Sequence, residues 1–238
     1  MSVMVKVLSV FEKNLSRATS WLKSIPARTW GLIALAFITI IVPGVIFTNL
    51  ADEVHENETL AFDSAILESV HKHTSPGLDP VMKLITEFGG PLLLPIVALI
   101  LTAILIYRRE LRHAFILFTG VVGASIINII LKSIFRRDRP QLWDWIVSES
   151  GTSFPSGHAM ASSALALSLM VIFWRTKWRW LAVGTGIVYI LLIAFSRIYL
   201  GVHYPTDIIA SWLISVAWVS AVTWIVYSLR RSPRKAAS

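Results

Sequence analysis

Three short polar stretches of an otherwise apolar chain carry residue types that could do chemistry together. The first is KSIFRRDRP, from Lys132 to Pro140, with cations at Lys132, Arg136, Arg137 and Arg139 and only Asp138 to offset them. Lys132 and Arg139 are seven residues apart, two turns if helical, so one helix face could carry both. Pro140 then stops the helix or turns the chain. Converging cations suggest an anion site, although snorkelling to lipid headgroups accounts for the same cluster.

The second stretch is Pro155-Ser156-Gly157-His158, directly before an apolar run. Ser156 can cap the following helix, whose free N–H groups would then form a positive end that binds phosphate. Gly157 would let a ligand approach the backbone closely. An ordinary N-cap explains Ser156 equally well but leaves His158 unexplained.

The third is SRIYLGVHYPTD, Ser196 to Asp207, with His203 and Asp207 one helical turn apart and Pro205 near a helix start. A carboxylate on one imidazole nitrogen fixes the tautomer and leaves the other nitrogen as nucleophile or base. A surface His–Asp pair of little consequence is the alternative. Taken together, the stretches supply cations, a phosphate-binding backbone and two histidines, one of which has a carboxylate partner. That set suits phosphoryl transfer through a covalent histidine. The transition state needs fixed cations, and unequal histidines can divide the roles of nucleophile and acid.

What must position these residues is a membrane bundle. The 238 residues are 55% hydrophobic and 15% charged, with mean hydropathy +0.67, whereas soluble domains carry roughly a quarter charged residues. Six apolar runs are legible: Trp30–Leu50, Pro91–Tyr107, Ala114–Leu131, Ala159–Trp174, Trp180–Phe195 and Ile208–Leu229. A span needs about 20 apolar residues, so the two shorter runs require a turn from their flanks. Trp30, Trp174, Trp178 and Trp180 fall at predicted ends, as an interfacial belt would. The first run is too long for a signal-peptide core and is read as a span. The expected fold is all-α, a bundle of six transmembrane helices.

Six spans put both termini on one side. That side receives 15 of the 22 Lys and Arg residues. Glu12 and Glu110 are its only acids. The positive-inside rule therefore places the termini in the cytoplasm and all three motifs outside. The net charge of +8 sits beside spans and accompanies no nucleic-acid-binding motif, so a bilayer rather than a nucleic acid is the expected partner. Without cysteine there is no disulfide or thiolate site. Residues 1–29 form a basic segment whose apolar positions from Val3 to Ile25 recur at helical spacing. It reads as an amphipathic helix on the cytoplasmic leaflet or as a loosely ordered tail. Residues 30–229 are the six-span domain and 230–238 a basic tail. In the acidic first outer loop, Phe62, Ile66, Leu67 and Val70 suggest a short helix.

Lys132 with Arg139-Pro140, then Pro155-Ser156-Gly157-His158, then Ser196-Arg197 with His203 and Asp207, resemble in order and spacing the type 2 phosphatidic acid phosphatase family of membrane lipid phosphatases. The resemblance covers the six-span core. It implies His203 as the nucleophile that becomes phosphohistidine and Asp207 as its orienting carboxylate. His158 would be the acid for the leaving oxygen and then the base for water. Lys132, Arg139 and Arg197 would clamp the phosphoryl oxygens, with Ser156 and the Gly157 backbone. It implies no metal or other cofactor, and no carboxylate cluster suits a two-metal site. Arg136 and Arg137 lie outside the motif and are expected to meet a second phosphate or the headgroup. That places undecaprenyl diphosphate first among lipid phosphate substrates, ahead of phosphatidylglycerophosphate and phosphatidic acid. A transporter would carry its polar groups at the midplane, unlike this chain. A lipid-binding protein without catalysis would be expected to lack motif residues, and none is missing.

Overall fold

The computed structural model describes residues 13–17, 19, 20, 24 and 26–228. Most of the expected amphipathic segment, and the tail from 229 onward, lie outside the described residues. The packing divides into two units, Met1–Ile38 and Thr39–Ser238. In the first, helix α1 (Ala27–Ala36) starts after Pro26, whose carbonyl accepts the Thr29 N–H at 2.7 Å. Residues 13–17 are helical and exposed.

The helical path continues through a wide π turn, Phe37–Ile41, and then α2, Val42–His55. Pro43, which has no N–H to give, stands just beyond the wide turn, and a proline there removes one i to i−4 bond. The rest of the second unit is α3 (Leu60–His71), α4 (Asp79–Glu87), α5 (Leu93–Tyr107), α6 (Leu111–Phe135), α7 (Gly157–Phe173), α8 (Arg179–Tyr199) and α9 (Pro205–Ser228). No strand occurs among the described residues.

Among the described residues, four stretches are long and apolar enough to cross a membrane: Thr29–His55, Leu111–Phe135, Arg179–Tyr199 and Pro205–Ser228. Helices α5 and α7 are apolar but shorter, 15 and 17 residues. Of the two short runs, Trp180–Phe195 gains its turn from the flanks as α8, 21 residues, whereas Ala159–Trp174 does not gain a full turn. The Gly89-Gly90 turn precedes α5, and the Ser156 cap fixes the start of α7.

Helix α7 is the centre of the bundle and packs against α6, α8 and α9. Its buried positions are mostly Ala and Ser, which let neighbouring backbones approach. Ser163 donates to Ser215 Oγ at 2.8 Å, and Ser215 donates to the Met160 carbonyl at 3.0 Å. At Gly120 an added Cβ would sit 2.5 Å from Ser168 Oγ, so a side chain there would force Ser168 to shift. Large apolar side chains point the other way: Ile129 is 68% and Ile134 64% exposed. Most buried polar groups pair inside while an oily surface faces outward, the arrangement hydrocarbon favours.

The polar residues gather at one end of this unit. Helix α6 ends at Arg136 in the left-handed region (φ 46°, ψ 32°), and its N–H closes on the Lys132 carbonyl at 3.2 Å. A long strap, residues 137–156, then folds back over the helix ends. Ser153 N–H donates to the Arg137 carbonyl at 2.8 Å. Phe154 packs on Phe135 and Phe47, with ring centroids 5.0 and 6.0 Å apart. Trp143 stacks on His71 of α3 at 3.8 Å, and Trp145 Nε1 donates to the Pro140 carbonyl at 2.6 Å.

Candidate active site

A cavity of about 490 Å³ opens where the strap meets the ends of α6 and α7 and the turn before α9. Lys132, Arg136, Arg139, Gly157, His158 and His203 line it, with Glu149 and residues 150–152 of the strap. Residues far apart in the three motifs therefore share one chamber. Their routes to it differ from the sequence expectation in one respect. Because α6 stops at Phe135, Lys132 and Arg139 do not share a helix face; Lys132 comes from the last turn of α6 and Arg139 from the strap. The left-handed turn at Arg136 makes the change of direction.

His203 is almost wholly buried in the turn between α8 and α9. Its Nδ1 lies 3.3 Å from Asp207 Oδ2, and its Nε2 lies 3.3 Å from Arg139 Nη1. A carboxylate only accepts, so Nδ1 carries the proton; Arg139 only donates, so Nε2 holds a free electron pair. Both neighbours assign one tautomer. Burial holds the His203 imidazole well below the ordinary histidine pKa, and the charges of Arg197, Arg139 and Lys132 push the same way. The ring is neutral at physiological pH. Asp207 stays in place because Oδ2 also accepts the Tyr204 N–H at 2.9 Å while Oδ1 accepts from Arg137 at 2.7 Å.

Gly201, before this turn, has φ +74°, and a Cβ there would lie 2.8 Å from Trp143 Nε1. A side chain at that position would be strained and would also press the strap outward.

Arg139 is held by carbonyls: Nε to Gly151 at 3.0 Å, Nη2 to Ser150 at 3.0 Å and Nη1 to Val202 at 2.8 Å. Glu149 lies 3.4 Å from its Nη2 and also pairs with Nη2 of Arg197. Burial lowers the Arg139 pKa from its ordinary value, and Glu149 and Asp207 counter the shift. Burial would raise the Glu149 carboxyl, but the Arg197 guanidinium overrides it and holds the group below the usual carboxylate range. Lys132 Nζ donates to the Thr152 carbonyl. His158, in the first turn of α7, makes no hydrogen bond among the described residues. His203 has a carboxylate within hydrogen-bond range; among the described residues His158 has none.

Three expected residues sit behind the chamber instead of on its wall. Ser156 is buried, and its Oγ accepts the Ala159 N–H at 3.4 Å, so the hydroxyl serves as the helix cap. The N–H groups of Gly157 and His158 have no acceptor among the described residues. Gly157 could not easily be replaced, since a Cβ would lie 3.2 Å from Asn128 Oδ1, and Asn128 Nδ2 donates to the Pro155 carbonyl at 3.0 Å. Arg197 is 1% exposed; Nη1 donates to Thr86 Oγ1 at 2.9 Å, Nη2 pairs with Glu149, and Nε has no hydrogen-bond partner among the described residues. Asp207 stands behind His203.

Arg137 departs furthest from expectation. Its guanidinium does not line the chamber but lies between Asp63 and Asp207, at 2.7 Å from each. Only Arg136 remains of the two cations expected to meet a second phosphate. The sequence reading passed over Asp63, Glu149 and Thr86. Asp63 had a signal: in α3 it shares a face with Leu67 and Val70, an acid on an apolar stripe. Among the described residues no three His, Asp or Glu side chains group as a metal site.

A family model described as the PAP2 superfamily matches residues 113–231, the region holding every motif residue. Phosphatidylglycerophosphatase B of Bacillus subtilis is 32% identical over 178 residues, 71% of this chain and 86% of that protein. The chain belongs to the PAP2 superfamily. An undecaprenyl-diphosphatase of Sulfolobus acidocaldarius is 27% identical over 169 residues, 68% of this chain and 77% of the relative. The crystal structure of a transmembrane PAP2-type phosphatidylglycerolphosphate phosphatase from Bacillus subtilis superposes with a TM-score of 0.75 at 24% identity, covering 82% of this chain and 99% of that one. The fold is that of the PAP2 phosphatases, and the chain is a phosphatase of this superfamily with a multi-pass helical membrane architecture.

Proposed function

We propose that this PAP2 protein removes phosphate from a membrane lipid phosphate through a phosphohistidine on His203. The observation that carries the reading is the geometry of His203. Its Nδ1 is tied to Asp207, and its free Nε2 pair faces a chamber that also holds Lys132, Arg139 and His158. Lys132, Arg139 and the Gly157 backbone bind the phosphoryl oxygens. Arg197 holds the site's charge through Glu149, and Ser156 shapes the helix end. On binding, a phosphate replaces Nε2 as the acceptor for Arg139. Nε2 then attacks phosphorus as the bond to the leaving oxygen breaks, and protonated His158 gives that oxygen its proton. The negative phosphate favours the imidazolium it needs. In the second half, His158 takes a proton from water, the water oxygen bonds to phosphorus, and the P–N pair returns to Nε2 as inorganic phosphate leaves. Fixed cations stabilise both transition states.

The six apolar helices, α5 and α7 included, are read as six spans with both termini cytoplasmic and the chamber facing outward, where a lipid headgroup can enter from the bilayer. The basic loops at Arg108–His113 and Arg175–Arg179 support that orientation. In intact cells, Ser150→Cys should react with an impermeant thiol reagent and Thr176→Cys should not; the reverse pattern inverts the topology.

Undecaprenyl diphosphate is the favoured substrate, phosphatidylglycerophosphate and phosphatidic acid the alternatives. Arg136 at the chamber wall supports a second phosphate, as does the likeness to the undecaprenyl-diphosphatase of Sulfolobus acidocaldarius. Phosphate release by the purified protein from the three lipids, with EDTA present throughout, tests the proposal. Turnover in EDTA with the diphosphate fastest supports it. No turnover of the diphosphate removes the ranking, and loss of all activity that added metal restores removes the mechanism.

A further inference from the structure

We infer that Asp63 and Arg137 are positioning residues that set the charge and orientation of His203 through Asp207; the inference rests on the phosphohistidine reading above. Asp63 lies in α3, remote in sequence from all three motifs, yet is completely buried. Its Oδ2 accepts from Arg137 Nη2 at 2.7 Å and from Thr206 Oγ1 at 2.6 Å, and its Oδ1 accepts the Thr206 N–H at 3.0 Å. Arg137 uses its other arm on Asp207 Oδ1 at 2.7 Å and lies over the Tyr204 ring at 4.0 Å. The guanidinium is a planar fork with one carboxylate in each arm, a geometry that a lysine cannot copy.

Two consequences follow from this chain of contacts. Asp207 cannot rotate, because Arg137 holds Oδ1 while the Tyr204 N–H and His203 hold Oδ2. The charge behind the imidazole is also fixed. Two carboxylates and one guanidinium leave a single negative charge to offset the positive charge that grows on the ring as Nε2 bonds to phosphorus. On the other sides His203 is faced by Arg139 of the strap, Lys132 of α6, Arg197 of α8 and His158 of α7.

Removing Arg137 raises the negative charge behind His203 and should make the ring easier to protonate. Removing Asp63 leaves Asp207 neutralised by Arg137 and should do the opposite. A merely structural pair would not produce shifts of opposite sign.

The test uses the full chain in detergent with whichever of the three lipids it turns over fastest. It compares wild type, Asp63→Asn, Arg137→Gln, Arg137→Lys, the Asp63→Asn/Arg137→Gln double variant and His203→Ala, with melting temperature recorded for each. The expected result is a kcat lowered about tenfold or more in each positioning variant with KM within about threefold. The acidic limb of kcat/KM should move toward neutral pH in Arg137→Gln and toward lower pH in Asp63→Asn, and return near wild type in the double variant. Arg137→Lys should keep the limb in place but not recover kcat. If Arg137→Gln does not fold, Asp63→Asn and Arg137→Lys carry the test: a moved limb in the first and an unmoved limb with low kcat in the second. Limbs unmoved in every folded variant, or kcat losses that only track melting temperature, overturn the inference. An active His203→Ala overturns the phosphohistidine reading itself. Inactive His203→Ala beside wild-type kcat and limb in Asp63→Asn and Arg137→Gln overturns the inference alone.

Discussion

One side of the His203 ring faces carboxylates and the other faces cations. Behind Nδ1, the donors and acceptors of Asp207, Arg137, Asp63 and Thr206 are matched to one another, and the side chains are almost wholly buried. In front of Nε2, Lys132 and Arg139 donate mainly to backbone carbonyls of the strap, and Glu149 is shared between Arg139 and Arg197. Carbonyls are partners that a phosphate dianion can displace, because hydrogen bonds to a charged acceptor are roughly twice as strong as neutral ones. On the proposed mechanism, the rear fixes the nucleophile and the front holds its cations in reserve for a ligand.

Replacing a front cation should break that division most severely. Arg139→Ala removes the guanidinium beside Nε2 and should lower kcat/KM about 10²- to 10³-fold, the loss typical of one oxyanion-stabilising donor. It should leave the rear network, and the melting temperature of the substrate-free protein, much less affected. Steady-state kinetics beside thermal unfolding checks this. A variant that loses stability but not rate would mean that Arg139 serves the strap.

The buried ring gives a smaller, pH-dependent effect. His203 is held below its ordinary value of 6.5, so between that value and its folded value the unfolded chain binds more protons. Its contribution to stability is complete above pH 6.5 and declines as the pH falls toward the folded pKa. Between pH 7 and pH 5 the melting temperature should therefore drop less in His203→Asn than in wild type; equal drops would show that the ring is not held neutral.

The smallest effect belongs to the bundle interior. Ser215→Ala removes a hydroxyl that donates to the Met160 carbonyl and accepts from Ser163. Ser163 keeps a second acceptor, the Ala159 carbonyl at 2.6 Å. The expected cost is about 0.6 kcal/mol, the average for such interhelical bonds in membranes, with kcat unchanged. Denaturant titration in detergent reads it.

The same front and rear division separates what the sequence revealed from what it hid. The front was legible because its residues stand in local motifs: Ser156 caps α7 and Pro205 opens α9 where short-range chemistry places them. His203 and Asp207 meet because they are one turn apart. The short helix around Phe62 and Leu67 was legible from its spacing. Beyond Asp207 the rear was not, because its contacts span sequence distances that no local pattern encodes. Asp63 meets Arg137 across 74 positions and Thr206 across 143. Arg137 was misplaced for a specific reason: charge counting treats neighbouring arginines alike. The left-handed turn at Arg136 sends one to the chamber and the other inward. The helix-face argument for Lys132 and Arg139 failed at the same turn.

In the proposed mechanism His203, and not His158, carries the phosphoryl group. The direct measurement is to quench the protein in alkali during turnover of a lipid labelled with radioactive phosphate and to map the labelled peptide. A phosphohistidine at this position gives an acid-labile, base-stable label on His203, absent in His203→Ala. A label on any other residue, or turnover that continues in His203→Ala, would contradict it.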